Sequence, residues 1–218
     1  MKRLSILLVT LFAVVICANL PAAGNPGNGG NGGNGGNGDN QKTGVLDTTE
    51  TAELEFTREE EKLARDVYIA LYDVWHEDIF LNISESEQRH MDTMLKMLNL
   101  YNVDDPVGDN GLGVFTHPAL GPLYLALVDK GSLSPLDAYE VGVIIEEMDI
   151  KDIQHAIDYT DEPPLDNAYG NLLAGSLNHL AAFIRQLNSL GIDYESEYLD
   201  IEDFETDLGA TRKGGRKR

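Results

Sequence analysis

Between residues 57 and 191, apolar positions recur every three to four residues, and no stretch alternates convincingly. That period predicts helices that each bury one face, and it predicts no strands. Thr57-Arg-Glu-Glu60 has the form of a capping box, so a first helix is expected from about Thr57 to His76. Leu63, Val67 and Leu71 line one side of it, and Glu61, Ala64, Tyr68, Tyr72 and Trp75 line the adjoining side. A second helix ends near Tyr101, after which Asp105-Pro106 and the glycines at 108, 111 and 113 break the pattern. A shorter helix is expected after Pro118, through Leu123, Tyr124 and Leu127 to Gly131. Ser134-Pro135 supplies an N-cap and first-turn pair for a long third helix over 135–159. Pro163-Pro164 separates it from a fourth, over about 165–190, which Gly191 ends. The expected architecture is all-α: a four-helix bundle whose long crossover, between the second and third long helices, contains the extra short helix.

Some polar residues fall on the apolar stripes. In the second helix, Ile83, Glu87, His90, Met94, Leu98 and Tyr101 share one side. An unpaired buried carboxylate is costly, so Glu87 needs a cation or a hydrogen-bond partner. In the first helix Glu61 shares a face with Ala64, Tyr68 and Tyr72, although a first-turn acid favoured by the helix dipole is the plainer reading. Glu59 and Glu60, closer to the expected cap, are expected to face solvent. In the third helix Glu146 falls amid Val143, Ile150, Ile153 and Ile157, with Glu147 about 100° away as its substitute. In the fourth, Leu172, Ser176, His179 and Phe183 share a stripe. A lone inward histidine is usually a hydrogen-bonded core residue, and facing acids and a second inward imidazole strengthen the case for ligation. His76, His117 and His155 are expected to be exposed.

The ends differ from this body. Lys2 and Arg3 precede an apolar run to Ile16, followed by Ala22-Ala23-Gly24, which is the layout of a cleaved export signal over residues 1–23. Cys17, the one cysteine, follows the large Ile16, which argues against lipidation and leaves the mature chain without thiols. Nine of the 22 glycines lie in residues 24–40, so 24–56 reads as a Gly/Asn-rich linker with an acidic lead-in. Residues 192–218 form an acidic and then basic tail, expected to pack poorly. The net charge of −21 understates the acidity of the body, because seven of the 16 basic residues sit at the two ends. An acidic body of this kind repels nucleic acid and draws in cations, and it also suits a soluble exported protein. No membrane span is expected once the signal is removed.

Glu61-x-x-Ala64 with Tyr68, and Ile83-x-x-x-Glu87-x-x-His90, resemble the first two helices of the ferritin-like di-iron superfamily, on the rubrerythrin side. Residues 142–150 and 175–180 resemble a family of uncharacterised function within it. The resemblance implies a ferritin-like fold over 57–191 with metal ligands Glu61, Glu87, His90, Glu146 (Glu147 as substitute) and His179. It further implies iron as the cofactor: two ions, or one because Ser176 stands where a second Glu-x-x-His motif would have its Glu. Manganese or zinc are alternatives. Redox chemistry with O2 or peroxide is the implied activity. It would need an external electron donor, since the mature body has no cysteine-based centre. A homodimer is an open alternative, and the competing reading is a metal-free binding or structural module of the same fold.

Overall fold

The computed structural model describes residues 2–3 and 44–196. The described residues contain five helices: α1 (Thr48–Trp75), α2 (Asp78–Tyr101), α3 (Leu120–Gly131), α4 (Pro135–Tyr159) and α5 (Pro163–Ser189). A two-residue parallel pairing of β1 (Lys2–Arg3) with β2 (Ile192–Asp193) is too short to form a layer. The expected export signal beyond Arg3, the glycine-rich stretch and the basic end lie outside the described residues. Among the described residues no helix is long and apolar enough to cross a membrane.

Helix α1 starts at Thr48, not Thr57. Asp47 is its N-cap, accepting from the backbone N–H groups of Thr49 (2.7 Å) and Glu50 (2.9 Å), while Glu50 accepts in return from the Asp47 N–H (3.0 Å). This is a complete capping box, one that the Thr57 motif only imitates. Residues 48–56, read as lead-in, are therefore the first turns of the helix, and Leu54 within them is fully buried. Thr57 sits mid-helix, its hydroxyl donating to the Glu53 carbonyl at 2.9 Å. At the other boundaries the expectations fare better. Ser134 caps α4 by accepting from the Asp137 N–H at 3.1 Å, with Pro135 at the first helical position. Pro163 and Pro164 open α5 instead of preceding it, since proline is tolerated in a first turn. His76 and Asn102 end α1 and α2 in the left-handed conformation (φ 55° and 56°).

Two residues join α1 to α2 and three join α4 to α5, which gives two helical hairpins. Helix α1 packs against α4, α2 against α5, and α3 covers α1 and α4. The apolar interior is divided in two. One cluster contains Leu63, Val67, Tyr68, Phe80, Ile83, Val143 and Phe183. The other contains Leu54, Met94, Leu98, Ile153, Leu165 and Leu172. On α1, α2 and α5 the change from one cluster to the other passes through buried polar residues: Glu60 and Glu61, then Glu87, then Ser176 and His179. On α4, Glu146 and Asp149 are buried within the last turns of the first cluster, which extends to Ile150.

The crossover from α2 to α4 is tied to α1 by side chains. Lys62 donates to the Gly111 carbonyl at 2.7 Å, and the Gly113 N–H donates to Asp66 at 2.9 Å. Arg58 makes a two-pronged bond to Asp105, 3.1 Å on each arm. Glu59 accepts from the backbone N–H groups of Thr116 (2.5 Å) and His117 (2.7 Å). Glu59 and Glu60 are thus buried, contrary to the expectation that they face solvent. With the true cap ten residues upstream, they lie in the middle of α1, where the crossover and α4 cover them.

Candidate metal centre

The polar layer gathers one carboxylate from α1, a carboxylate and an imidazole from α2, one carboxylate from α4 and one imidazole from α5. Glu87 and His90 are three apart, which puts both on the inner face of α2. His90 Nδ1 lies 3.1 Å from Glu61 Oε2 and 2.8 Å from Glu87 Oε2. His179 Nδ1 lies 2.8 Å from Glu87 Oε1 and 3.5 Å from Glu146 Oε2. The two rings stack at 5.5 Å between centroids. Two groups result, Glu61/Glu87/His90 and Glu87/Glu146/His179, and within each the donor atoms all fall within 4.8 Å of one another. Glu87 belongs to both, one oxygen turned to each imidazole.

Several of these atoms lack a proper partner. Glu87 Oε1 and His179 Nδ1 are close but out of line for a hydrogen bond, and both are buried without another partner. Glu61 Oε1 and Asp149 Oδ1 are also buried and unpartnered. The charges follow from the burial. Glu87 is held below the usual carboxylate range: burial opposes its ionisation, but the His179 and His90 imidazoles outweigh it. Burial works against protonating His90, yet Glu61 and Glu87 push it up to about 11. His179 likewise is raised to about 10 by Glu146 and Glu87 against its burial. Burial, with Asp149 beside it, raises Glu61 well above its ordinary value. Burial also raises Glu146, with Glu87 adding to it.

Residues 50–211 match a family described as an uncharacterized protein domain, DUF2202. The chain belongs to the DUF2202 family. It is 45% identical over 161 residues to "Uncharacterized protein MJ0754" of Methanocaldococcus jannaschii, a stretch covering 74% of this chain and 87% of that protein. The crystal structure of hypothetical protein MJ0754 superposes with a TM-score of 0.69 at 45% identity, covering 74% of this chain and 92% of the other.

Of the residues singled out in this DUF2202 chain, Glu61, Glu87, His90, Glu146 and His179 come together. Glu147 does not join them. Its carboxylate accepts from the Tyr194 hydroxyl (2.9 Å) and the Ser196 hydroxyl (2.7 Å), so it ties the segment after α5 to α4. The step of about 100° from Glu146 is enough to turn it out of the layer. Tyr68, on the same face of α1 as Glu61, reaches the layer as well, its hydroxyl donating to Glu146 Oε1 at 2.6 Å. His76 and His155 are exposed, while His117 is half-buried, edge-on to Phe56.

The DUF2202 layer holds two further buried acids that the stripe pattern did not single out. Asp149 follows Glu146 by three residues and so shares its face, a spacing visible in the sequence. It is 3% exposed and accepts from the Ser176 hydroxyl, and burial with Glu146 and Glu87 nearby raises it to about 8. Glu60 is buried beside Asp152, with Oε2 unpartnered, and burial raises it well above the usual range. A helix start placed at Thr57 hides it, because it then falls in the first turn.

Proposed function

We propose that this polar layer is a divalent transition-metal site in a ferritin-like domain, with iron the first expectation and manganese or zinc next. The observation that carries the reading is the shared Glu87, whose two oxygens each face an imidazole and a further carboxylate within a buried layer. Four carboxylates (Glu61, Glu87, Glu146 and Asp149) surround two imidazoles. Even with both imidazoles charged, the layer keeps an excess of acid that must take up protons or a cation. Unpartnered oxygens and a misaligned Nδ1 are what ligands awaiting a common ion would show, and mixed carboxylate and imidazole donors suit iron, manganese and zinc.

Glu61, Glu87 and His90 would hold one ion, and Glu87, Glu146 and His179 a second. A bound iron would supply electron-transfer chemistry toward O2 or peroxide. The residues of the chain do the rest. The apolar clusters on either side keep bulk water from the layer, Tyr68 fixes the orientation of Glu146, and His90 and His179 give up their protons to become ligands. The pairing of two helical hairpins joined by a long crossover favours the ferritin-like assignment. Export through residues 1–23 and dependence on an external electron donor belong to the same proposal.

A second reading has its own support. The protonated imidazoles sit within 2.8–3.5 Å of Glu61, Glu87 and Glu146, so an ion-pair network could hold the layer together with protons alone. The domain would then be a metal-free binding or structural module. Anaerobic Fe(II) titration of the protein, with metal analysis and an absorption spectrum before and after O2, separates the two. Bound iron that is lost in His90→Ala supports the metal site, and a spectral change on O2 extends it to redox chemistry. No bound Fe, Mn or Zn, with unaltered thermal stability in all three, leaves the module reading.

A further inference from the structure

We propose that Asp149 is a ligand-supplying carboxylate, delivered from α4 to the half of the site formed by Glu87, Glu146 and His179. This rests on the metal-site reading and deepens it. Three carboxylates shared between two divalent ions leave a positive excess in a buried layer, and uncompensated buried charge is strongly unfavourable. Asp149 removes part of that excess. It is 3% exposed, on the same face of α4 as Glu146 and one turn further along.

Ser176 fixes its position. The serine hydroxyl donates to Asp149 Oδ2 and also lies 3.1 Å from the Leu172 carbonyl on its own helix, so Asp149 is held across the α4–α5 boundary. Ser176 precedes His179 by three residues and shares its inward face. Both residues of the pair therefore lie one turn from a member of the same half-site. The other oxygen of Asp149, Oδ1, is buried and accepts nothing. A buried carboxylate with one oxygen tethered and the other open is arranged as a cation ligand whose orientation a neighbour has set. The neighbouring acid Glu147 cannot take this role, since it is engaged with Tyr194 and Ser196.

The test compares the wild-type chain, Asp149→Asn, and the exchange variant Asp149→Ser/Ser176→Asp, which moves the carboxylate from α4 to α5 without changing the atoms present. Each is titrated anaerobically with Fe(II), and bound iron per chain is measured after desalting. Thermal melting of the metal-free forms establishes that each is folded. Two ions are expected in wild type. Asp149→Asn should lose the second, or bind it more weakly by at least the ten- to hundred-fold, roughly, that removing a ligand's hydrogen-bond partner costs. The exchange variant should recover it. Two ions at wild-type affinity in Asp149→Asn would overturn the assignment. So would a loss that the folded exchange variant does not repair, or a single ion in wild type that the substitution leaves unchanged. No iron in wild type at all would instead overturn the metal-site reading beneath it.

Discussion

Gly175 leaves the space that the His90 ring occupies between α2 and α5: a Cβ added at Gly175 would lie 2.5 Å from His90 Nε2 and 2.6 Å from its Cε1. The ring presents Nδ1 to Glu61 and Glu87, so its back edge rests on the glycine. Gly175→Ala would ordinarily favour a helix by about 0.5–1 kcal/mol. At this position it should push His90 off its carboxylates. The expected outcome is a fully helical protein by circular dichroism whose Fe(II) affinity falls about ten-fold or more. Unchanged affinity would mean that His90 does not ligate.

Tyr68 offers a cleaner perturbation. Its ring packs against Phe80 and Phe183, and only its hydroxyl reaches Glu146. Tyr68→Phe keeps the packing and removes the donor. Cation affinity should weaken by about ten- to a hundred-fold, with melting of the metal-free form close to wild type. Isothermal titration calorimetry with Mn(II) or Zn(II) reads this without oxidation chemistry.

The pH dependence of the metal-free protein has a definite sign. Asp149 has its folded pKa raised to about 8 from an ordinary 3.8, so its contribution to stability is whole below about 4 and lost as pH rises through 8. His90 and His179, raised to about 11 and about 10 from 6.5, act in the same sense at higher pH. Glu87 acts oppositely, its contribution being lost only as pH falls below the ordinary carboxylate range. Chelator-treated protein should therefore melt at steadily lower temperature from pH 5 to pH 9, and Asp149→Asn should flatten the lower part of that slope. A rise in melting temperature over that range would contradict a protonated Asp149 beside charged imidazoles. Metal uptake at pH 7 should release protons, seen as a calorimetric enthalpy that depends on the buffer's ionisation heat.

Lys62 and Asp66 form an ion pair with no exposed side-chain surface, and each also bonds to the backbone of the crossover. Replacing Asp66 with Ala would leave the Lys62 ammonium buried without its counter-charge. A loss of about 3–5 kcal/mol is expected by urea unfolding, because half of a buried pair costs more than the pair itself. A loss below about 1 kcal/mol, the range of exposed pairs, would show that water reaches Lys62.

Glu147→Gln is the control among the acids. Its carboxylate binds Tyr194 and Ser196, so the substitution should leave iron stoichiometry and affinity at wild-type values and loosen only the segment after α5. Hydrogen exchange at residues 192–196 would register that loosening.

The helix period carries most of the architecture. The all-helical fold, the short helix in the crossover and the start of α4 at Ser134-Pro135 are all readable from spacing and caps. The five residues that converge in the buried layer are readable because an acid or imidazole stands on an apolar stripe. The departures have local causes. Two capping-box sequence motifs lie in series, and taking Thr57 over Asp47 displaces the helix start, which in turn assigns Glu59 and Glu60 to solvent. Asp149 stands close to the more conspicuous Glu146-Glu147 pair, although it lies on the same face as the first of them. The hydrogen bond from Ser176 to Asp149 depends on how α4 meets α5, and no single-helix pattern encodes that.

Because greasy packing brackets the acids above and below, the scaffold has two independent anchors. Their packing does not depend on what neutralises the acids between them. If the layer holds metal as proposed, loading would therefore follow folding, and the ion would exchange with protons inside a bundle already built.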